Sequence, residues 1–217
     1  MRICCGLRRS MRATHCDAEL RAPRFSWSRS DKGNGVLIAF GGLPGTGKTT
    51  VARNLARRLG AVYLRIDSIE QQLVRSGIGM DEMGPAGYMV GYALAADNLR
   101  LGLTVVADSV NSLGITRAAW KSVAREAGVR LLEVELRCSD RNEHRSRIES
   151  RRADIPGHAL PGWNDVLDRH YEPWESVDIT IDTSAVSAEQ AVETIARGLA
   201  CSARGTPEPE RAEESGS

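Results

Sequence analysis

At 217 residues the chain is long enough for one domain with a substantial core. Its 29 Lys and Arg offset 28 Asp and Glu to a net charge of +1, which gives no basis for a protein that wraps a polyanion but leaves a small charged substrate open. The five cysteines, Cys4, Cys5, Cys16, Cys138 and Cys201, form no C-x-x-C pair and have no His at zinc-ligand spacing, and no apolar run approaches the ~20 residues that span a bilayer. A disulfide framework, a structural metal and membrane insertion are therefore not expected, and a reducing cytoplasm suits the thiols.

Residues 1–33 carry Arg2, Arg8, Arg9, Arg12, Arg21, Arg24, Arg29 and Lys32 against Asp17, Glu19 and Asp31, with no sustained apolar period. They read as a disordered basic leader. They lack the apolar core of a secretory signal. An organellar presequence, a true start at Met11 and an upstream mistranslation are alternatives.

Val36-Leu37-Ile38-Ala39-Phe40 then reads as a buried strand. It feeds Gly42-Leu43-Pro44-Gly45-Thr46-Gly47-Lys48-Thr49, which fits the phosphate-binding pattern G-x-x-x-x-G-K-[ST] at every fixed position. The glycines let the backbone curl so that successive N–H groups face one phosphate chain, where a side chain would block the approach. Lys48 can reach the β- and γ-phosphates, and the Thr49 hydroxyl can ligate the Mg²⁺ between them. Thr50 completes the expected nucleotide-binding run, although it falls one position late for the metal. Val51, Leu55, Ala56 and Leu59 repeat at helical spacing up to Gly60, so the loop ends in a helix N-terminus, whose dipole favours phosphate. The bland reading, a glycine-rich turn, fits less of this context.

Ala61 to Ile66 reads as a second strand that delivers Asp67 to its carboxyl end, where ligands bind in open parallel α/β sheets. Asp67 could accept the proton of a substrate hydroxyl as it attacks the γ-phosphate. The alternative is a helix N-cap. Residues 76–88, rich in glycine, break both periods and read as a mobile substrate-side loop. Asp81-Glu82-Met83-Gly84 within it fits D-x-x-G, but two fixed positions match often by chance and no N-K-x-D follows.

A helix through Tyr88, Tyr92, Ala96 and Leu99 leads to a third strand, Leu103 to Ala107, ending in Asp108. An apolar strand ending in Asp is the form of the second acidic element of phosphate-loop enzymes, where the carboxylate holds Mg²⁺; capping is the alternative. A helix from Thr116 precedes a fourth strand, Val129 to Leu136, whose partial alternation places it nearer an edge. Arg141, His144, Arg145, Arg147, Arg151 and Arg152 follow at near-helical spacing. This is either a solvated helix or a lid over about 140–160 whose guanidiniums close on the transferring phosphoryl. Arg147 and Arg151 are the favoured pair, at i, i+4. A helix from Trp163 to Tyr171 breaks at Pro173, with Trp174 packing over it and His170 structural or on the surface. The last strand is Val177 to Ile181, its helix carries Ala191, Val192, Ile195 and Leu199, and 202–217 read as a disordered acidic tail.

The phosphate loop, Ile66-Asp67-Ser68, Val106-Ala107-Asp108-Ser109 and Glu143-His144-Arg145 together resemble the small phosphate-loop kinases, sometimes catalogued as "AAA family ATPases". Chloramphenicol phosphotransferase, the zeta-type toxin kinases, gluconate kinase and polynucleotide-kinase-like proteins share the pattern, over about 36–199. The resemblance implies a five-stranded parallel sheet of nucleoside-monophosphate-kinase type, order 2-3-1-4-5, with helices on both faces, a domain over 34–201, and ATP-Mg²⁺ as donor. It places a base at Asp67 and lid arginines approximately at Arg145 to Arg152. A ring-shaped AAA+ motor is not expected, because the chain lacks a helical lid domain and sensor motifs.

The expected activity is ATP-dependent transfer of the γ-phosphoryl group to a hydroxyl of a small molecule, with Lys48, Asp67, Arg147 and Arg151 catalytic and Thr49 and Asp108 on the metal. The rivals are a nucleotide-dependent switch that binds a protein partner and a polynucleotide-end kinase. The second is ranked lower because no basic stripe with interleaved aromatics is visible, and neither acceptor nor oligomeric state is readable. Replacing Lys48 by Ala is expected to abolish ATP-dependent turnover with the fold intact, as checked by turnover and circular dichroism on the same preparation.

Overall fold

Five apolar runs become the strands of one parallel sheet in the computed structural model, which describes residues 35–202. The strands are β1 (Val36–Gly41), β2 (Val62–Arg65), β3 (Val105–Asp108), β4 (Arg130–Arg137) and β5 (Ile179–Asp182), in the order β2-β3-β1-β4-β5. Parallel neighbours need crossover helices, and those helices cover both faces. They are α1 (Lys48–Leu59), α2 (Ile66–Arg75), α3 (Met80–Met83), α4 (Ala86–Arg100), α5 (Gly114–Ala127), α6 (Arg141–Ser150), α7 (Trp163–Leu167) and α8 (Ala188–Ser202). The five-stranded order expected from the sequence is the order observed. The basic leader lies outside the described residues, as does the acidic tail beyond Ser202.

The central strand reads as continuous hydrophobe because water reaches neither of its faces. Ile38 and Phe40 point into a core shared with α1 and α8 through Val51, Leu55 and Ile195. Leu37 and Ala39 point into the opposite core, built on α4 and α5 around Leu99 and Trp120. Ile38 pairs with Val106 of β3, and Gly41 pairs with Glu135 of β4, so three strands end side by side where the phosphate loop begins. That end carries the site.

Several local expectations change. β2 stops at Arg65, and Ile66 and Asp67 form the first turn of α2 instead of the strand's end. The helix starts early because Ile66 is buried against α4, where a Cβ on Gly91 would stand only 2.4 Å from the Ile66 Cδ1. Arg65, not Asp67, is the N-cap, and no side chain caps it. The 76–88 segment is not a continuous loop, since it holds α3 and the start of α4, with turns at Gly77 and Gly84 in positive φ.

β4 lies second from the sheet edge, yet its acidic positions do not face water. Glu133 is buried beside Lys121 Nζ at 3.2 Å, and Glu135 accepts from Arg137 and from the Tyr171 hydroxyl. Ion pairing, not solvent, explains the alternation. α7 ends at Leu167, and Trp174 packs elsewhere than expected: its ring lies against Gly41, where a Cβ would come within 2.3 Å.

Trp120 is fully buried and meets Tyr92 edge-on at 4.5 Å between ring centroids, while its indole N–H has no partner among the described residues. Trp120→Ala is expected to cost about 3–5 kcal/mol in denaturant unfolding, in the range of buried aromatic truncations. Trp120→Phe should cost less, since it forfeits area but no hydrogen bond.

Candidate active site

The phosphate loop turns through three glycines in the left-handed region, Gly42 at φ 131°, Gly45 at φ 83° and Gly47 at φ 81°. Close approach reinforces this choice, since a Cβ on Gly42 would strike the Leu136 carbonyl at 2.1 Å and one on Gly45 would strike Ile148 at 2.6 Å. The loop carbonyls have partners. The Thr46 hydroxyl and Lys48 Nζ donate to Leu43 O at 2.9 and 2.8 Å. His144 Nε2 lies 2.7 Å from Pro44 O, so it carries the proton and donates it. The Thr183 hydroxyl lies 3.0 Å from Thr46 O. With these carbonyls turned into the protein, the loop backbone presents its amides to a ligand.

Lys48 is 7% exposed, and burial lowers its pKa to about 8 against the opposing pull of Asp108 and Asp67. Asp108, at the end of β3, is buried as well, and burial raises its pKa while Lys48, Tyr63 and Thr49 favour its charged form. The Tyr63 hydroxyl donates to Asp108 Oδ2 at 2.7 Å. Asp67 lies across the cavity on α2, one third exposed, with Arg65 Nη2 3.6 Å from its Oδ2. Arg65 also reaches Asp108 at 4.0 Å and donates to Asp154 at 2.7 Å, so one buried guanidinium stands among three carboxylates.

The expected arginine pair does not share a helical face. α6 ends at Ser150, and Arg151 is its C-cap, with extended dihedrals. Arg147 is tied down, donating to the Thr183 hydroxyl and carbonyl at 2.8 Å each and to Glu143 at 2.5 Å. Both arginines nonetheless line the cavity, and burial lowers the pKa of Arg151 with Asp67 opposing. α6 is not simply a solvated helix either, because His144 and Ile148 are buried against the loop. His170 is exposed beside Glu172.

A cavity of about 720 Å³ gathers these groups, running from Gly45, Lys48 and Thr49 past Asp108 to Asp67, Glu70, Tyr88 and Arg169. Tyr63, Arg65, Glu70, His144, Arg169 and Thr183 were not singled out as site residues from the sequence. Arg65 and Glu70 flank Asp67 within one helical turn, and that spacing was the available signal. The Thr183 and His144 contacts cross more than ninety residues of sequence, and nothing local announces them.

The residues present fit a magnesium-bound nucleoside triphosphate. The cradle at Gly45 admits no side chain, Lys48 gives one of its three protons to Leu43 O and keeps two for phosphate, and Thr49 and Asp108 supply hard oxygen donors side by side. Among the described residues no cluster of three or more His, Cys, Asp or Glu could cage a metal alone. Two protein oxygens suit a cation shared with phosphate oxygens.

The family model described as an AAA domain matches residues 37–170. The chain belongs to this AAA-domain family. An adenylyl-sulfate kinase from Synechococcus sp. (strain JA-2-3B'a(2-13)) is 25% identical over 173 residues, covering 76% of this chain and 94% of its own. Among solved structures, the Mycobacterium tuberculosis APS kinase in complex with AMPPNP and APS superposes with a TM-score of 0.61 at 20% identity, over 77% of this chain and 99% of that one. A gluconokinase from Sinorhizobium meliloti gives 0.54 at 21% identity, over 78% and 94%. These structural likenesses establish the fold of the small phosphate-loop kinases, and the sequence relatives support phosphate-loop kinase activity. No helix among the described residues is long and apolar enough to cross a membrane.

Thr183 is the contact through which Arg147 and the phosphate loop are joined. Thr183→Val keeps the shape and removes the hydroxyl, leaving buried partners unpaired. It is expected to cost about 1–3 kcal/mol of stability and to weaken nucleotide binding, as read by denaturant unfolding and ATP titration; unchanged affinity would show that the loop holds its form without it.

Proposed function

We propose that this chain is an ATP-dependent kinase that moves the γ-phosphoryl group onto a hydroxyl of a small molecule. The observation that carries the reading is the single cavity in which Asp67 faces the phosphate loop, with Lys48, Thr49 and Asp108 on one side and a further wall of polar side chains beyond. One end suits a triphosphate, and the other leaves room for an acceptor. The adenylyl-sulfate kinase and gluconokinase likenesses support transfer to a small molecule, and the acceptor wall described below bears on which one.

In this reading the loop amides and Lys48 bind the β- and γ-phosphates, and Thr49 and Asp108 hold Mg²⁺, which would neutralise charge on the phosphate oxygens. Asp67 orients the acceptor hydroxyl and takes its proton as the oxygen bonds to the γ-phosphorus. The bond from that phosphorus to the bridging oxygen breaks, and ADP departs with that electron pair. Arg151, on the cavity wall, is placed to meet the charge spread over the equatorial oxygens. Arg147 acts one step removed, through Thr183 and the loop. Most of the rate enhancement then comes from positioning and electrostatics.

The test is a thermal-shift and transfer screen with ATP-Mg²⁺ over antibiotics, sugars, nucleosides and short oligonucleotides, run on wild type and Asp67→Asn. The expected result is an acceptor that adds to the ATP shift and is phosphorylated by wild type, with turnover in the variant down roughly 10²–10⁴-fold, the usual worth of a general base, and ATP binding retained. ATP stabilisation with no acceptor adding to it would favour a nucleotide-dependent switch, and a salt-sensitive oligonucleotide hit would favour an end kinase.

A further inference from the structure

The acceptor end of the cavity is negative where α2 faces it. Asp67 and Glu70 stand three residues apart, so they share one face of α2, and both line the cavity. Glu70 is seated, not waving in solvent: a Cβ on Gly87 of α4 would come within 2.3 Å of its Cγ, so the missing side chain at 87 is the space that Glu70 fills. Its carboxylate makes no hydrogen bond or ion pair among the described residues. The nearby wall contributes the neutral hydroxyls of Tyr88, Ser109, Ser112 and Thr116. Tyr88 is itself fixed, accepting from the Asn111 backbone N–H at 3.1 Å.

The cavity's other positive charges stand elsewhere or are engaged: Arg151 and Arg152 line it from the segment after α6, with Arg151 interacting with Asp67, and neither is among the charges acting on Glu70. Arg65 is occupied by Asp154, Asp67 and Asp108, Arg147 by Thr183 and Glu143, and Lys48 sits in the loop. Arg169 alone opposes the charge of Glu70, and it does not outweigh the rest: burial first and Asp67 second push the Glu70 carboxyl up to about 7. A half-buried carboxylate beside a second one is only partly balanced by Arg169.

Resting on the kinase reading above, we propose that Glu70 makes the acceptor subsite select a hydroxyl compound bearing a protonated amine, of the amino-alcohol or amino-sugar class, and reject anionic acceptors such as adenylyl sulfate. The ammonium pairs with Glu70 while the reacting hydroxyl of the same molecule lies at Asp67, one helical turn away. A charge-assisted hydrogen bond then completes the charge balance of that carboxylate. An anion in the same place meets two negative side chains and is turned away.

The experiment uses the full chain with ATP-Mg²⁺ and a charge-matched panel: glucosamine, glucose and gluconate, with ethanolamine, serinol and adenylyl sulfate. Thermal shift and phosphoryl transfer are read for wild type, Glu70→Gln and Glu70→Arg. In wild type, aminated compounds are expected to bind or be phosphorylated in preference to their neutral and anionic counterparts. Glu70→Gln should weaken them by at least about tenfold, roughly 1.4 kcal/mol, and Glu70→Arg should favour the anions. ATP-Mg²⁺ without acceptor should stabilise all three proteins alike, which shows that the variants fold. The proposal is overturned if wild type prefers gluconate, adenylyl sulfate or glucose, if no aminated compound is taken, or if the preference for amines survives in Glu70→Gln. Failure of ATP-Mg²⁺ alone to stabilise wild type is a separate result that removes the kinase reading itself.

Discussion

A phosphate loop made of glycine cannot keep its own shape. The freedom that lets Gly42, Gly45 and Gly47 enter the left-handed region also makes that conformation costly to hold. The remedy in this molecule is to tie the loop's carbonyls. Leu43 O is held by Thr46 and Lys48, Pro44 O by His144 from α6, and Thr46 O by Thr183 from the end of β5. Every tie turns a carbonyl inward, and the amides are thereby presented outward. Affinity for phosphate follows from where the acceptors went.

The same ties decide what the helix after β4 is for. A helix with ten residues and three arginines looks made for solvent, yet His144 and Ile148 press on Gly45 and Pro44 while Arg147 grips Thr183. The helix is a wedge behind the phosphates. Arg151, released from the helix by an extended cap, lines the cavity beside Arg147 and Arg152. Charge balance on the other side depends on Arg65, whose placement among Asp67, Asp108 and Asp154 joins the acceptor wall, the metal-side carboxylate and the segment after α6 into one network. Removing any one of the four would leave a buried charge short of its partner.

How much of this was legible depended on distance along the chain. The phosphate loop carries its own spacing rule, and Asp108 ends an apolar run that is a strand, whereas the strand before Asp67 stops two residues short of it and Asp67 sits in the first turn of α2. The strand order followed from likeness to a family, not from periodicity. The arginine pair could not be placed, because i, i+4 holds only while the helix continues and nothing local says that it ends at Ser150. The alternation through Glu133 and Glu135 read as nearness to a sheet edge because their partners, Lys121 and Tyr171, lie on other elements. α3 has four residues, too few to show any period. Glu70 was readable in principle, one turn beyond Asp67, but its meaning required knowing that Gly87 leaves room for it.

Trp174 resting on Gly41 has an implication for the order of assembly. The loop near the beginning of the domain is completed by residues that come much later: His144 is 100 positions beyond Pro44, and Thr183 is 137 beyond Thr46. Trp174 closes over the residue just before the loop. A chain emerging from the ribosome therefore contains β1 and α1 long before it contains the residues that tie the loop down. Such distant closures are the slow part of folding, since the entropy of the intervening chain is spent first. The full set of ties on the loop is complete only once the chain has reached Thr183.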